Sequence, residues 1–330
     1  MADEEGGAAA EVEDTGPMLD VALHIKAGEN LKGIAKTVDG AGFAFTSLDL
    51  PGTDAADDGS GGDKFANVEA LKDYLHLRYV NLSNHIIKDP GPLAAMAHLL
   101  SLNLSKNQLT TESLEKFKEA PLKFLQVLDL SHNRIEEYAV DFPMLRELYL
   151  NNNQLSAIKL NAEGCVLKKL DVRDNKPLEP PPEVAEGEEP PPPKGLLDCD
   201  GYGMPSLEEL LVTGNPIKSL KGLDTLTGVQ ELDLSGTDVE NLDGLPAGGK
   251  LRKLLMRDCK IAAWEEMDKL KEVTTLKDLD VQGNPLPPGG SQRGRILMRV
   301  PTLETLDELP ITDEDREAAK EGDPEPPPAE

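Results

Sequence analysis

Apolar positions recur along this chain in a fixed frame. In LQVLDLSHNRI (125–135), Leu125, Leu128, Leu130 and Ile135 hold positions 1, 4, 6 and 11, with Asn133 at position 9. The frame returns in LLSLNLSKNQL (99–109), LRELYLNNNQL (145–155), LEELLVTGNPI (207–217) and LKDLDVQGNPL (276–286). Looser copies are LRYVNLSNHII (77–87), LKKLDVRDNKP (167–177), VQELDLSGTDV (229–239) and LRKLLMRDCKI (251–261). Positions 4 and 6 are apolar around a polar position 5, the period of a strand with one face buried. Asn at position 9 suits a tight turn, because its amide can bond backbone groups that would otherwise be buried without partners.

Nine copies of LxxLxLxxNxL in one chain define a leucine-rich repeat array, an α/β solenoid with a parallel concave sheet. The starts at 77, 99, 125, 145, 167, 207, 229, 251 and 276 have a modal spacing of 22, a short subclass of the repeat. Two longer spacings predict helical turns. One is TESLEKFKEAP (111–121), with Thr111 as N-cap; the other is AAWEEMDKLKEV (262–273), with Trp264, Met267 and Leu270 as a buried face. The longest spacing holds the Pro- and Glu-rich insertion 178–203, whose proline runs exclude helix and central strand. It reads as a tolerated loop insertion or as an extended arm for a partner.

A solenoid must cover its two open ends. RILMRVPTLETLD (295–307) predicts a helix and a closing half-repeat, giving a C-terminal cap over 295–310 within a solenoid spanning 77–310. Upstream, 21–76 reads as an N-terminal cap. It has a degenerate repeat at 43–53 (Phe45, Leu48 and Leu50 at positions 1, 4 and 6), a helix over 66–77 and a short helix over 29–38. Residues 1–20 carry seven acids and no base, and residues 313–330 carry eight acids and two bases. The two ends, 1–20 and 311–330, therefore read as disordered acidic tails.

The net charge of −27 disfavours nucleic acid and anionic membrane as partners. Three cysteines without a CxxC pair fit a reducing compartment. The acidic MADEEGG start lacks the apolar core of a signal peptide, and no apolar run approaches a membrane span. Ser131, His132 and Asn133 are side chains that hydrolases use, but the pairs equivalent to Ser131–His132 are Ser105–Lys106, Asn151–Asn152 and Ser235–Gly236, a generic polar slot, and nothing in the frame supplies a carboxylate to orient His132. His85, Thr237 and Cys259 replace Asn at position 9 and read as structural substitutes. No phosphate-binding loop, dinucleotide fingerprint or metal-ligand spacing occurs, so no catalytic, cofactor or metal residue and no small-molecule substrate is expected.

What remains is recognition of protein. The concave face would carry Tyr149, Leu211 and Leu255 at position 5, with Arg173 and Arg257 at position 7, as anchors for a partner.

The stretch DYLHLRYVNLSNHIIKDPGPLAAMAHLLSLNLSKNQL (73–109) resembles the leucine-rich-repeat radial spoke protein of motile cilia and flagella, in its HLRYV entry and the HLL that follows. The resemblance implies a non-enzymatic scaffolding subunit of the axonemal radial spoke. Its partners would be other spoke subunits, and its place the cilium or flagellum axoneme. Two other readings stand beside it: a regulatory subunit of a protein phosphatase, which uses the same repeat subclass, and a nuclear RNA-processing array, which the charge opposes.

Overall fold

The computed structural model describes residues 16–37, 40–54, 62–119, 122–160, 164–176, 204–288 and 291–320. The insertion 178–203, the first fifteen residues and the last ten lie outside them.

Each repeat contributes one strand of three residues. These are β3 (Tyr79–Asn81), β4 (Ser101–Asn103), β5 (Val127–Asp129), β7 (Glu147–Tyr149), β9 (Lys169–Asp171), β10 (Glu209–Leu211), β11 (Glu231–Asp233), β12 (Lys253–Leu255) and β13 (Asp278–Asp280). They pair in parallel and in unbroken register, position 3 on position 3 and position 4 on position 4. The register is fixed because a one-residue slip would turn every inward leucine to solvent. Leu128 and Leu130, at positions 4 and 6, are buried, as are their equivalents throughout. Strands lie about 4.8 Å apart, closer than the bulkier turns opposite, so the sheet forms the inner face of the curve. The longer repeats hold α2 (Thr111–Glu119) and α3 (Trp264–Asp268) on the other side, and β6 (Glu137–Tyr138) pairs there with β8 (Ala157–Ile158).

The asparagine ladder ties the repeats together. The Nδ2 of Asn133 donates to Leu130 O (2.9 Å) and Ser131 O (3.1 Å) in its own repeat and to Leu104 O (3.0 Å) in the preceding one, while its Oδ1 accepts from Leu109 N (3.0 Å). Asn107, Asn153 and Asn284 repeat this pattern across the repeat boundary. A second requirement sits at position 8, which is left-handed in every repeat: Asn84, Lys106, His132, Asn152, Asp174 and Asp258 have φ between 54° and 61°, and Gly214, Gly236 and Gly283 fill the remaining slots. Asn, Asp and Gly tolerate that backbone best, which accounts for the polar character of the slot.

The ends depart from expectation in informative ways. The helix expected over 29–38 is a strand, β1 (Leu31–Lys36), antiparallel to β2 (Phe43–Asp49) and closing the sheet at its N-terminal edge. Gly33, at φ 65°, breaks any helix there. A helix, α1 (Gly16–Asn30), precedes it, so residues 16–20 belong to an element rather than to a tail. Phe45 does not point inward as a position-1 residue. In the straight strand β2 it lies on the same face as Ser47, partner of Tyr79, and is 44% exposed. The helix expected over 66–77 shrinks to one tight turn, Glu69–Asp73, since a 22-residue repeat leaves room for little more on the outer side. Thr111 is not an N-cap but the first residue of α2, and its hydroxyl accepts from the backbone N–H groups of Glu136 (3.1 Å) and Glu137 (2.9 Å) in the next repeat.

At the other end, α4 (Gln292–Arg299) and the short antiparallel pair β14 (Thr305–Leu306) and β15 (Leu309–Pro310) form the cap. The acidic segment from 311 then continues as α5 (Asp313–Lys320). Two arginines pin it. Arg316 donates to Pro301 O and Leu303 O, both at 2.7 Å. Arg293 pairs with Asp315 at 3.0 Å and holds that carboxyl down to about 2. Trp264 is buried as expected, donating to Pro287 O (3.2 Å) beneath the guanidinium of Arg295, 4.6 Å from the ring centre.

Candidate interaction surface

The Ser-His-Asn run of the fifth strand is structural throughout. Ser131 Oγ donates to Asp129 Oδ1 (2.7 Å), which also accepts from Ser131 N (3.0 Å) and so closes the strand end. His132 occupies the left-handed slot and is exposed, and Asn133 is a rung of the ladder. The same position-5 to position-7 bond recurs at Asn81, Asn103, Asp233 and Asp280.

The position-9 substitutes behave as replacements for asparagine. His85 is buried; its Nδ1 accepts from Phe65 N (3.1 Å), and its Nε2 lies 2.8 Å from Leu50 O. One nitrogen accepts and the other donates, which requires a neutral ring protonated on Nε2. Burial lowers the pKa of His85 below the ordinary 6.5, although the Leu50 carbonyl opposes the shift. Thr237 Oγ1 (2.7 Å) and Cys259 Sγ (3.2 Å) both donate to Leu234 O. Burial pushes the Cys259 thiol up, so it stays protonated and unreactive.

The five anchors expected on the concave face share that face but not one patch. Across the sheet, position 5 reads Tyr149, Asp171, Leu211, Asp233, Leu255, Asp280, so an acid separates each apolar residue from the next. Leu211 retains 8% of its surface and is not an exposed anchor; Leu255 and Tyr149 are half-buried. The Tyr149 hydroxyl donates to Glu147 Oε2 (2.8 Å) with Lys169 Nζ 5.7 Å from the ring centre, and burial followed by Glu147 raises its pKa well above the usual phenol value. Arg173 grips the buried Asp171 with two bonds, 2.9 and 2.6 Å. Arg257 bridges Asp280 (2.9 Å) and Glu308 (3.0 Å). Position 3 carries its own pairs, Lys169–Glu209 (2.6 Å) and Lys253–Glu231 (2.7 Å). The middle of the face is thus a lattice of internally matched charges.

Two exposed rows lie outside that anchor set. On the concave side of the N-terminal strands, Ile34 (68% exposed), Phe43 (71%), Phe45 and Tyr79 stand together, Ile34 paired with Phe45 and Ser47 with Tyr79. Along the entry edge, the residue just before position 1 of the first five repeats forms a second row: His76, His98, Phe124, Met144 and Val166. The His76 and His98 rings stack at 6.3 Å, and His98 stacks on Phe124 at 6.5 Å. Extending the repeat frame one residue upstream would have revealed this row.

The chain has a leucine-rich-repeat fold. A family model described as "Leucine Rich repeat" matches residues 95–118 and 122–136. Leucine-rich repeat-containing protein 23 of Bos taurus is 27% identical over 297 residues, 89% of this chain and 77% of that protein. Tubulin-specific chaperone E of Bos taurus is 25% identical over 266 residues, 76% of this chain and 45% of that protein. Among solved structures, a leucine-rich-repeat protein of Leptospira interrogans superposes with a TM-score of 0.55 at 22% identity, covering 74% of this chain and 58% of that one. Among the described residues no helix is long and apolar enough to cross a membrane.

Proposed function

We propose that this chain is a non-enzymatic scaffolding subunit of the axonemal radial spoke, binding neighbouring spoke subunits through its repeat surface and supporting the regulation of ciliary motility. A leucine-rich-repeat array implies a protein-interaction scaffold, and the stretch 73–109 carries the finer reading. The residues that set this stretch apart from a generic repeat, His76, Arg78, Tyr79 and His98, are solvent-accessible, whereas its leucines Leu77, Leu82, Leu99 and Leu104 are buried. Packing does not require those four residues, so their presence fits a specific contact surface.

On the concave face, Tyr149 and Leu255 are the anchors with surface to offer a partner. Arg173 and Arg257 orient the acids beside them, and Leu211 shapes the row from beneath. The test is capture from axonemal extract by the immobilised full chain. The wild type retains spoke subunits identified by mass spectrometry, and Tyr149→Ala/Leu255→Ala loses them while keeping its circular dichroism spectrum. Capture of a phosphatase catalytic subunit in place of spoke subunits would overturn the reading.

A further inference from the structure

Between the β1–β2 hairpin and the entry edge of the first two repeats lies a shallow, solvent-open depression. Lys36, Arg78, His76 and His98 line it, together with small residues of the hairpin, and no carboxylate does. It gives a locally cationic spot on a chain of net charge −27. Farther along the same array several basic residues are matched: Lys168 to Glu208, Lys169 to Glu209, Lys253 to Glu231 and Lys277 to Glu304, all within 2.9 Å. Among the described residues no carboxylate comes within ion-pair reach of Lys36 or Arg78. The Nδ1 of His76 is buried and has no hydrogen-bond partner. A polar atom buried and unpaired costs stability, and such atoms are rare unless something satisfies them.

The cleft opens onto an apolar row. His98 stacks on Phe124, which is 51% exposed, and Met144 and Val166 continue the row at the equivalent place in the next two repeats, both more than a third exposed. Strand spacing puts these side chains about 5 Å apart. A cationic pocket thus leads directly into an exposed apolar track about three repeats long.

We infer that this cleft and row form a docking site for an acidic segment of a partner protein, with a side-chain carboxylate held by Lys36, Arg78 and the two histidines, and an aromatic or aliphatic side chain lying on Phe124, Met144 and Val166. The charge complementarity names the ligand. Lys36 and Arg78 supply the cations, each histidine can turn an N–H donor toward a carboxylate, and a guanidinium can engage it with two parallel bonds. The surrounding protein is strongly acidic, so a polyacidic ligand without apolar residues is repelled everywhere except in the pocket. The apolar row supplies the second half of the recognition. The inference rests on the scaffold reading and is independent of the ciliary one.

The experiment uses the full chain and a fluorescein-labelled synthetic peptide of about a dozen residues in which glutamate pairs alternate with single phenylalanines. Its counterparts carry Gln for Glu or Ser for Phe, and binding is read by fluorescence anisotropy. Loss of one desolvated charge-assisted contact weakens binding about tenfold or more. The expected result is saturable binding of the Glu/Phe peptide, weakened at least about tenfold by Lys36→Glu, by Arg78→Glu and by either peptide change, and several-fold by Phe124→Ser. All three positions are on the surface, and circular dichroism confirms that each variant is folded. Absence of saturable binding, or equal binding by wild type and charge-reversed variants, overturns the inference. A chain that fails this test and still leaves axonemes with the spoke fraction overturns the cleft alone and leaves the scaffold reading standing.

Discussion

Replacing Asn133 with alanine tests whether the ladder holds adjacent repeats together. The substitution removes four bonds of 2.9–3.1 Å, to Leu104 O, Leu130 O, Ser131 O and Leu109 N. The losses are unequal. Leu104 O still accepts from Asn107 Nδ2, and Leu130 O from Asn153 Nδ2, because the ladder supplies each carbonyl twice. Leu109 N has Asn133 as its partner and is left buried and bare. One orphaned N–H costs about 1–3 kcal/mol, and the thinned carbonyl bonding adds about 1 more, for a total of about 2–4 kcal/mol. With a urea slope of about 3 kcal/mol per molar for a chain of this length, the midpoint falls by about 1 M. Repeat arrays can unfold in parts, so amide hydrogen exchange provides a second readout. The Leu109 amide loses protection in the variant, ahead of amides in the C-terminal repeats. A midpoint shift under about 0.3 M, or unchanged protection at Leu109, would refute this account of the ladder.

Three other outcomes follow from the same bonds. His85 must be neutral to accept from Phe65 N, and its folded pKa lies below the unfolded 6.5. The unfolded chain therefore takes up the proton first as pH falls, so the contribution of His85 is complete above 6.5 and is lost below it; His85→Asn should flatten the stability profile in that range, measured by urea titration at several pH values. His132→Gly should stabilise the chain by up to about 1 kcal/mol, because glycine bears no penalty at φ 55°, whereas a destabilised variant would mean that the imidazole makes contacts the fold depends on. Arg316→Ala removes two bonds to carbonyls of the cap and should release α5, seen as faster amide exchange over 313–320 and a loss of about 1–3 kcal/mol from the C-terminal transition; unchanged exchange would show that Arg293 and Asp315 suffice.

The solenoid was legible because its signal is periodic and its cause is packing: every leucine at positions 4 and 6 is forced inward by the same strand geometry. The substitutes at position 9 were legible for a related reason, since a slot defined by backbone bonding admits any side chain with a suitable donor, and His85 supplies an acceptor as well. The ends were harder to read. A segment such as 31–36 lies outside the period, and its strand depends on a partner, Phe43–Asp49, that no local pattern announces. The acids of 313–320 looked like a solvated tail because the arginines that hold them, Arg293 and Arg316, bond mainly to carbonyl groups, which sequence does not display. The frame predicts that Tyr149, Leu211 and Leu255 share one face of the sheet, and their strands pair in the register that puts them there. Their exposure was not legible, because whether Leu211 is covered depends on neighbours one strand away, 40 residues upstream at Asp171 and 22 downstream at Asp233.

The most direct test of the central claim is fractionation of ciliated cells carrying a tagged copy of the full chain, first by demembranation and then by extraction of radial spokes from the axonemes. The account predicts that the protein stays with the demembranated axoneme and leaves with the spoke fraction, in step with other spoke subunits. A protein found wholly in the soluble cell-body fraction would contradict the spoke assignment and leave the leucine-rich-repeat fold as the part that stands.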